Sequence, residues 1–225
     1  VRREKQLDQD DLALLAKIDA MALPQGMPTV RFPIEQMYHG SRIEPKGFSS
    51  VHHFFLPRAG HALAALWKKA KAQPDARIRE MLLFFVEQGI WGMSVLARYA
   101  PTHFSQVNQY LNGVYYVGSQ LAECSPWYIL DGKLGRLIKA FGEFRTNPNA
   151  AVVNTGTAAS LPLRDGSIDY VFTDPRFGEN IYYADLNFLV EAWHGVMTAT
   201  ANEAIVDQAK KKGVHEYQEL MRRCF

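Results

Sequence analysis

The chain has 225 residues, of which 48% are hydrophobic and 12% aromatic, enough apolar material for one large domain or two small ones. Its formal charge of +2 is too close to balance to imply a nucleic-acid partner. No apolar run approaches the roughly 18 residues a membrane span needs, which excludes a spanning helix. The start, Val1-Arg2-Arg3-Glu4-Lys5, is charged with no apolar stretch behind it, which argues against a secretory signal. It has no initiator Met, and the expectation is a piece of a longer protein. Cys124 and Cys224 lie far apart, with neither metal-ligand spacing nor a disulfide framework, so a reducing cytoplasm is the expected setting.

In chain order, residues 9–22 read as a helix, with Leu12, Leu15, Ala16, Ile18 and Met21 on one face. Residues 23–50 carry Pro24, Gly26, Pro28, Pro33, Gly40, Pro45 and Gly47 and read as an irregular arm. A second helix is predicted from Pro57, which suits a first helical turn, with Lys68, Lys69 and Lys71 at its end where cations suit the dipole. Pro74-Asp75 opens a third, predicted to reach about Tyr99 and to be buried, because Met81 to Val86 is apolar all round. Val114 to Val117 reads as a short strand. Pro126 opens a helix ending near Phe144, with Lys133, Arg136 and Lys139 on one side and Leu134, Leu137, Ile138 and Phe141 on the other.

Past residue 145 the pattern becomes strand, loop, helix. Ala151-Val152-Val153 is a short apolar run, Leu161 to Ser167 is turn-rich, and Ile168-Asp169-Tyr170-Val171-Phe172 reads as a buried strand. Helical sequence follows from about Tyr182 to Met197, and Val214, Tyr217, Leu220, Met221 and Cys224 are helically spaced again. That alternation is the unit of an α/β sheet, in which ligands meet the loops at the carboxyl ends of strands.

The loop after Phe172 is Thr173-Asp174-Pro175-Arg176-Phe177-Gly178-Glu179-Asn180. Asp174 offers a carboxylate acceptor, Pro175 has no N–H and presents a carbonyl, and Phe177 a flat apolar face. Two acceptors and an aromatic plate suit a planar ring bearing an amino group, such as a nucleobase. As a plain turn, Asp-Pro needs no function at all.

Asp174-Pro175-Arg176-Phe177 resembles the Asp-Pro-Pro-Phe/Tyr signature of DNA methyltransferases that modify the amino groups of adenine or cytosine. The flanks resemble the same family: Leu163 to Asp174 as the approach, and Phe177 to Phe188 as the exit. Val51-His52-His53-Phe54-Phe55 and Ser125-Pro126-Trp127-Tyr128 fit less specifically. The resemblance is strong over about 150–195 and extends over about 50–195. It implies S-adenosylmethionine as methyl donor, a flipped base, Asp174 and the Pro175 carbonyl accepting from its amine, and Phe177 stacking on it. Asp174, Pro175 and Phe177 are thus the catalytic candidates, and Arg176, Gly178, Asn180, Tyr182 and Tyr183 the base-pocket candidates. Asp at the first position leans toward adenine, with cytosine open.

The sequence departs from that family twice. Arg176 replaces the second proline, which relaxes the backbone and adds a cation able to pair with Asp174. None of the 16 glycines forms the Gly-x-Gly spacing of a donor-binding turn. Impaired catalysis and an incomplete donor site are therefore expected.

The resulting expectation is a partial Rossmann-like α/β methyltransferase sheet preceded by a mostly helical region. Its parts are a helix and arm over 1–50, helices over 51–145 and the catalytic region over 146–225. DNA is the expected partner, contacted at phosphates by Lys68, Lys69, Lys133, Arg136 and Lys139, although a solvated basic face explains these residues too. Other subunits of a restriction-modification or defence system are implied by the resemblance; no membrane and no metal are. The competing readings are a non-catalytic nucleic-acid-binding module derived from such an enzyme and an RNA methyltransferase. Elsewhere the plainer readings are expected: Trp67, Trp91, Trp127 and Trp193 as core or core edge, His52-His53 as loop residues, Asn187 as a polar contact near the pocket or a cap, and Lys210-Lys211-Lys212-Gly213 as an exposed turn.

Overall fold

The computed structural model describes residues 5–37, 43–107, 115, 117–143, 152–154, 156–175, 178–179 and 181–225. Helices dominate: α1 (Gln9–Asp19), α2 (Pro57–Lys71), α3 (Ala76–Glu87), α4 (Pro126–Glu143), α5 (Tyr183–His194) and α6 (Val214–Cys224). Among the described residues the only sheet is antiparallel and two-stranded, β1 (Arg98–Ala100) against β2 (Phe104–Gln106), with Tyr99 opposite Ser105. The chain is thus mixed helix and strand at a coarse level.

Helix starts follow local chemistry. Asp8 accepts from the Asp11 N–H at 2.9 Å while Asp11 accepts from the Asp8 N–H at 3.1 Å, a reciprocal cap on α1. Pro57 sits in the first turn of α2, and Asp75 caps α3 by accepting from the Ile78 N–H at 2.9 Å.

The core gathers around α2 and α5. On α2, Ala59, Leu63, Trp67 and Ala70 recur at helical spacing and are buried. Trp67 meets Trp193 of α5 at 5.5 Å between ring centroids, and Phe55 meets Trp193 edge-on at 5.7 Å. The arm over 23–50 is irregular, as expected, yet it feeds Met27, Phe32, Met37 and Ile43 into this core. Phe32 is its anchor, with ring centroids 5.2 Å from Phe54, 5.1 Å from Tyr115 and 4.7 Å from Phe188.

Tyr115 wedges against α5. Its hydroxyl donates to the Asp185 carbonyl at 2.6 Å and accepts from the Leu189 N–H at 3.1 Å. Burial drives its phenol well above the ordinary range, so it stays a neutral donor. Tyr115→Phe is expected to lower unfolding stability by about 1 kcal/mol, the net worth of a buried hydrogen bond. Urea titration reads this directly, and an unchanged midpoint would show that the hydroxyl contributes nothing.

Several expectations are corrected. α1 ends at Asp19 rather than near residue 22, and it buries none of its residues. α3 ends at Glu87 rather than near Tyr99, and only Leu83 and Val86 of it are buried, with Met81 and Phe84 facing solvent. The turns after Glu87 take over the interior, where Ile90 and Ala97 are fully enclosed. Trp127 is 75% exposed instead of core. α4 matches its predicted span, but only Leu130 of it is buried. Tyr115 has a positive φ of 58°, which is not strand geometry; Val114 and Tyr116 of the same predicted strand lie outside the described residues.

The largest correction concerns 168–172. That run has no regular secondary structure, and Tyr170, Val171 and Phe172 are 79%, 72% and 83% exposed. A mostly apolar run is stable as a strand only between neighbours that take its backbone hydrogen bonds and cover it. Among the described residues no strand lies beside it. Val152 and Val153 are bare for the same reason.

Candidate functional site

The loop singled out by sequence borders a cavity. Thr173, Asp174 and Pro175 line a space of about 870 Å³ whose other walls include Thr157, Glu191, Met197, Asn202 and Phe225. Asp174 and Pro175 are solvent-exposed, so their acceptors are accessible. Arg176, Phe177 and Asn180 lie outside the described residues.

Gly178 is buried with φ +72°, the left-handed region that glycine adopts without strain. Its carbonyl accepts from the Val206 N–H at 3.4 Å, which fastens the loop to the segment before α6. Tyr182, at the N-cap of α5, is 7% exposed and packs inward; Tyr183 is 38% exposed. Neither is among the residues lining the cavity.

Beneath the loop lies a buried charge cluster. The Lys210 ammonium donates to Asp185 Oδ1 at 2.8 Å and to Asp207 Oδ2 at 2.7 Å, with side-chain exposures of 5%, 4% and 0%. It also lies 5.9 Å from the centre of the Tyr182 ring. Burial works against the Lys210 charge, but the two carboxylates outweigh it and its pKa lies above the ordinary lysine value. Asp207 and Lys212 exchange backbone hydrogen bonds at 2.9 Å each, and Lys212 reaches the carbonyls of Thr200 and Glu203 at 2.6 Å. The predicted turn is there, but Lys210 and Lys212 point into the protein; Lys211 alone of the three is exposed. A run of three lysines reads as solvated because nothing local announces two aspartates, one of them 25 residues away.

Glu191 is the other residue that sequence reasoning passed over. Its carboxylate accepts from the Thr198 N–H at 2.8 Å and from the Thr198 hydroxyl, which pins the chain after α5. It lines both the 870 Å³ cavity and a smaller one of about 130 Å³ that reaches Asp185 and Lys210. Among the described residues the walls of the larger cavity thus carry Asp174, Glu191 and Glu203 and no lysine or arginine. Such a lining favours amines and other hydrogen-bond donors over phosphates.

The phosphate candidates are elsewhere. Lys68 and Lys69 sit exposed at the end of α2, and Arg136 and Lys139 exposed on α4 with Lys133 partly covered. None of the five is among the lining residues of the cavity beside Asp174. Arg136 donates from Nε to the Gly132 carbonyl at 3.1 Å. His53 accepts the Ser49 N–H at 3.2 Å, a loop role, and no group of metal-ligating side chains occurs among the described residues. No described helix is long and apolar enough to cross a membrane. No protein-family model, curated protein or solved structure matches the chain.

Proposed function

We propose that this chain carries the base-contacting region of an S-adenosylmethionine-dependent methyltransferase acting on an exocyclic amino group of a DNA base, adenine before cytosine. The observation that carries the reading is the 870 Å³ cavity with Asp174 and Pro175 on its rim. That volume accommodates a nucleobase with room to spare. Asp174 would accept one N–H of the base amine and the Pro175 carbonyl the other, which orients the nitrogen lone pair away from the protein. The acidic lining supports an amine-bearing base as the occupant and a DNA backbone that stays outside, near basic residues such as Lys133, Arg136 and Lys139. In this reading 168–172 is a strand of a Rossmann-like sheet that forms once neighbouring strands flank it.

The residues present do not fit the methyl donor as the family holds it. Gly156 is the glycine on the cavity wall, and a Cβ added there meets nothing within 4 Å. A glycine cradle exists because a side chain would collide with the ligand or backbone; here the space is open, and no Gly-x-Gly spacing occurs in the sequence. The same observation favours the second reading, a nucleic-acid-binding module related to such an enzyme but without transfer activity.

Calorimetric titration with S-adenosylmethionine tests whether a donor site forms in this chain. The expected result is no heat of binding from folded protein. Micromolar affinity would overturn the statement that the donor does not fit and would make methyl transfer to DNA the next assay.

A further inference from the structure

The hairpin β1–β2 and the start of α4 present a chain of aromatic rings. Tyr99 and Phe104 meet edge-on at 6.3 Å between centroids, and Phe104 meets Tyr128 of α4 edge-on at 5.7 Å. The Tyr128 hydroxyl donates to the His103 carbonyl at 3.2 Å, which ties the hairpin loop to the first turn of α4. The rings are held in order, yet they lie outside the core: Tyr99 is 36% exposed, Phe104 44% and Tyr128 52%. Trp127, next to Tyr128 in the chain, is 75% exposed. Together the four show on the order of 400 Å² of surface to solvent, the size of the patches that monomers keep for a partner.

Phe104 stands where the backbone itself is strained. Its φ is +68°, the left-handed region that is disfavoured for a bulky side chain and that hairpin loops usually give to glycine. Burial does not offset that strain, because the ring is nearly half in water. Strain of this kind persists where the side chain has another use. The ring is presented, not packed away.

The surroundings are basic. No Asp or Glu occurs in the sequence between Glu87 and Glu123, a stretch that holds the hairpin with Arg98 and His103. The Glu123 carboxylate is engaged by the Arg58 guanidinium, which donates from Nε at 3.0 Å. On α4, Asp131 is the one carboxylate before Glu143, against Lys133, Arg136 and Lys139. Lys139 stands three turns beyond Tyr128 and so on the same face, with Gly132 and Gly135 between them. A Cβ at either glycine meets nothing within 4 Å, so the path from the Tyr128 ring to Lys139 is low and open over roughly 16 Å. Exposed rings beside a line of cations suit a strand whose bases are unpaired: bases of any identity stack on the rings, and the phosphates follow the cations. A duplex keeps its bases stacked on one another and offers the rings nothing. A proline-rich peptide would also meet rings, but gains nothing from Arg136 and Lys139.

We infer that Tyr99, Phe104, Trp127 and Tyr128 form a stacking platform for single-stranded DNA, whose phosphates run along α4 toward Lys139. The platform shares no residue with the lining of the Asp174 cavity and is a separate site. Only the choice of DNA over RNA rests on the function proposed above.

The test is binding of a short dye-labelled oligodeoxythymidylate to the full 225-residue chain, read by fluorescence anisotropy. The expected result is affinity that falls steeply with salt and exceeds that for a duplex of equal length about tenfold. An unlabelled strand is expected to quench tryptophan fluorescence, because Trp127 is open to it while Trp67 and Trp193 are 3% exposed. Trp127→Phe should keep the binding and lose most of the quench. Phe104→Gly is expected to weaken binding about five- to a hundredfold, the worth of one stacked base. Its melting temperature should be no lower than that of wild type, since glycine takes a φ of +68° without strain. Asp174→Ala should leave this binding unchanged, which keeps the outcome apart from that of the proposed function. No binding at low salt overturns the inference. So does a duplex bound as tightly as the single strand, or single-strand binding that Phe104→Gly and Trp127→Ala both leave intact, which would be charge attraction alone. RNA of matched sequence bound more tightly than DNA would overturn the choice of DNA. A proline-rich peptide that quenches Trp127 where the oligonucleotide does not would reject the inference and assign the rings to peptides.

Discussion

Lys210→Met is expected to lower unfolding stability by about 3–5 kcal/mol, the usual consequence of stranding buried charge by removing one partner. Two carboxylates accept from this one ammonium, at 2.8 and 2.7 Å, and their side chains are 4% and 0% exposed. Methionine fills most of the volume but offers Asp185 and Asp207 no donor in place of the ammonium, and Asp207 keeps the Ala209 N–H at 2.9 Å. Domains are commonly stable by only about 5–15 kcal/mol, so this single change removes a large share. Adding Asp185→Leu and Asp207→Leu to Lys210→Met is expected to restore part of the loss, because apolar groups need no partner. Denaturant titration of the single and triple variants measures both effects. Equal stability of Lys210→Met and wild type would mean that the cluster is no strut.

The same cluster sets an alkaline limit. The folded-state pKa of Lys210 lies above the ordinary 10.5, so its contribution is fully present below about pH 10.5 and fades as the pH climbs through the raised value. Lys210→Met should abolish that part of the alkaline dependence.

Asp174→Ala is expected to weaken recognition of an extrahelical base roughly ten- to a hundredfold, the loss of one charge-assisted hydrogen bond of about 1.5–3 kcal/mol. The side chain is exposed, so the melting temperature should not change. A duplex carrying a fluorescent adenine analogue opposite an abasic site reports the effect, because the analogue brightens as it leaves the stack. Binding should persist for both proteins, while the brightening is expected for wild type only. Equal brightening with Asp174→Ala would remove the carboxylate from base recognition and leave the proposed function without its central residue.

These two residues mark what could and could not be read from sequence. Asp174 stood out because its signal is local: an Asp-Pro pair directly after an apolar run and before a helical one. The helices were legible for the same reason. Asp75 and Pro57 act within one turn of their own positions, and the span of α4 follows from the proline that opens it. Lys210 carried no such signal, since its partners are set by how the segment after α5 folds back on that helix.

Burial separated from periodicity in two places. α1 and α4 both show an apolar stripe, and both leave it largely in solvent, because periodicity says which face is apolar but not whether anything arrives to cover it. The run 168–172 makes the point for strands: its composition favours a sheet interior, yet a strand is completed by its neighbours. What the sequence by itself determined, then, was where the helices start and the carboxylate and carbonyl at Asp174-Pro175, all governed by residues within a few positions of one another. The tertiary structure alone decided that Lys210 is buried between two aspartates, that Glu191 stands beside the Asp174 cavity and that Tyr115 braces α5. Those depend on contacts between distant segments, whose energies appear only when the chain closes on itself.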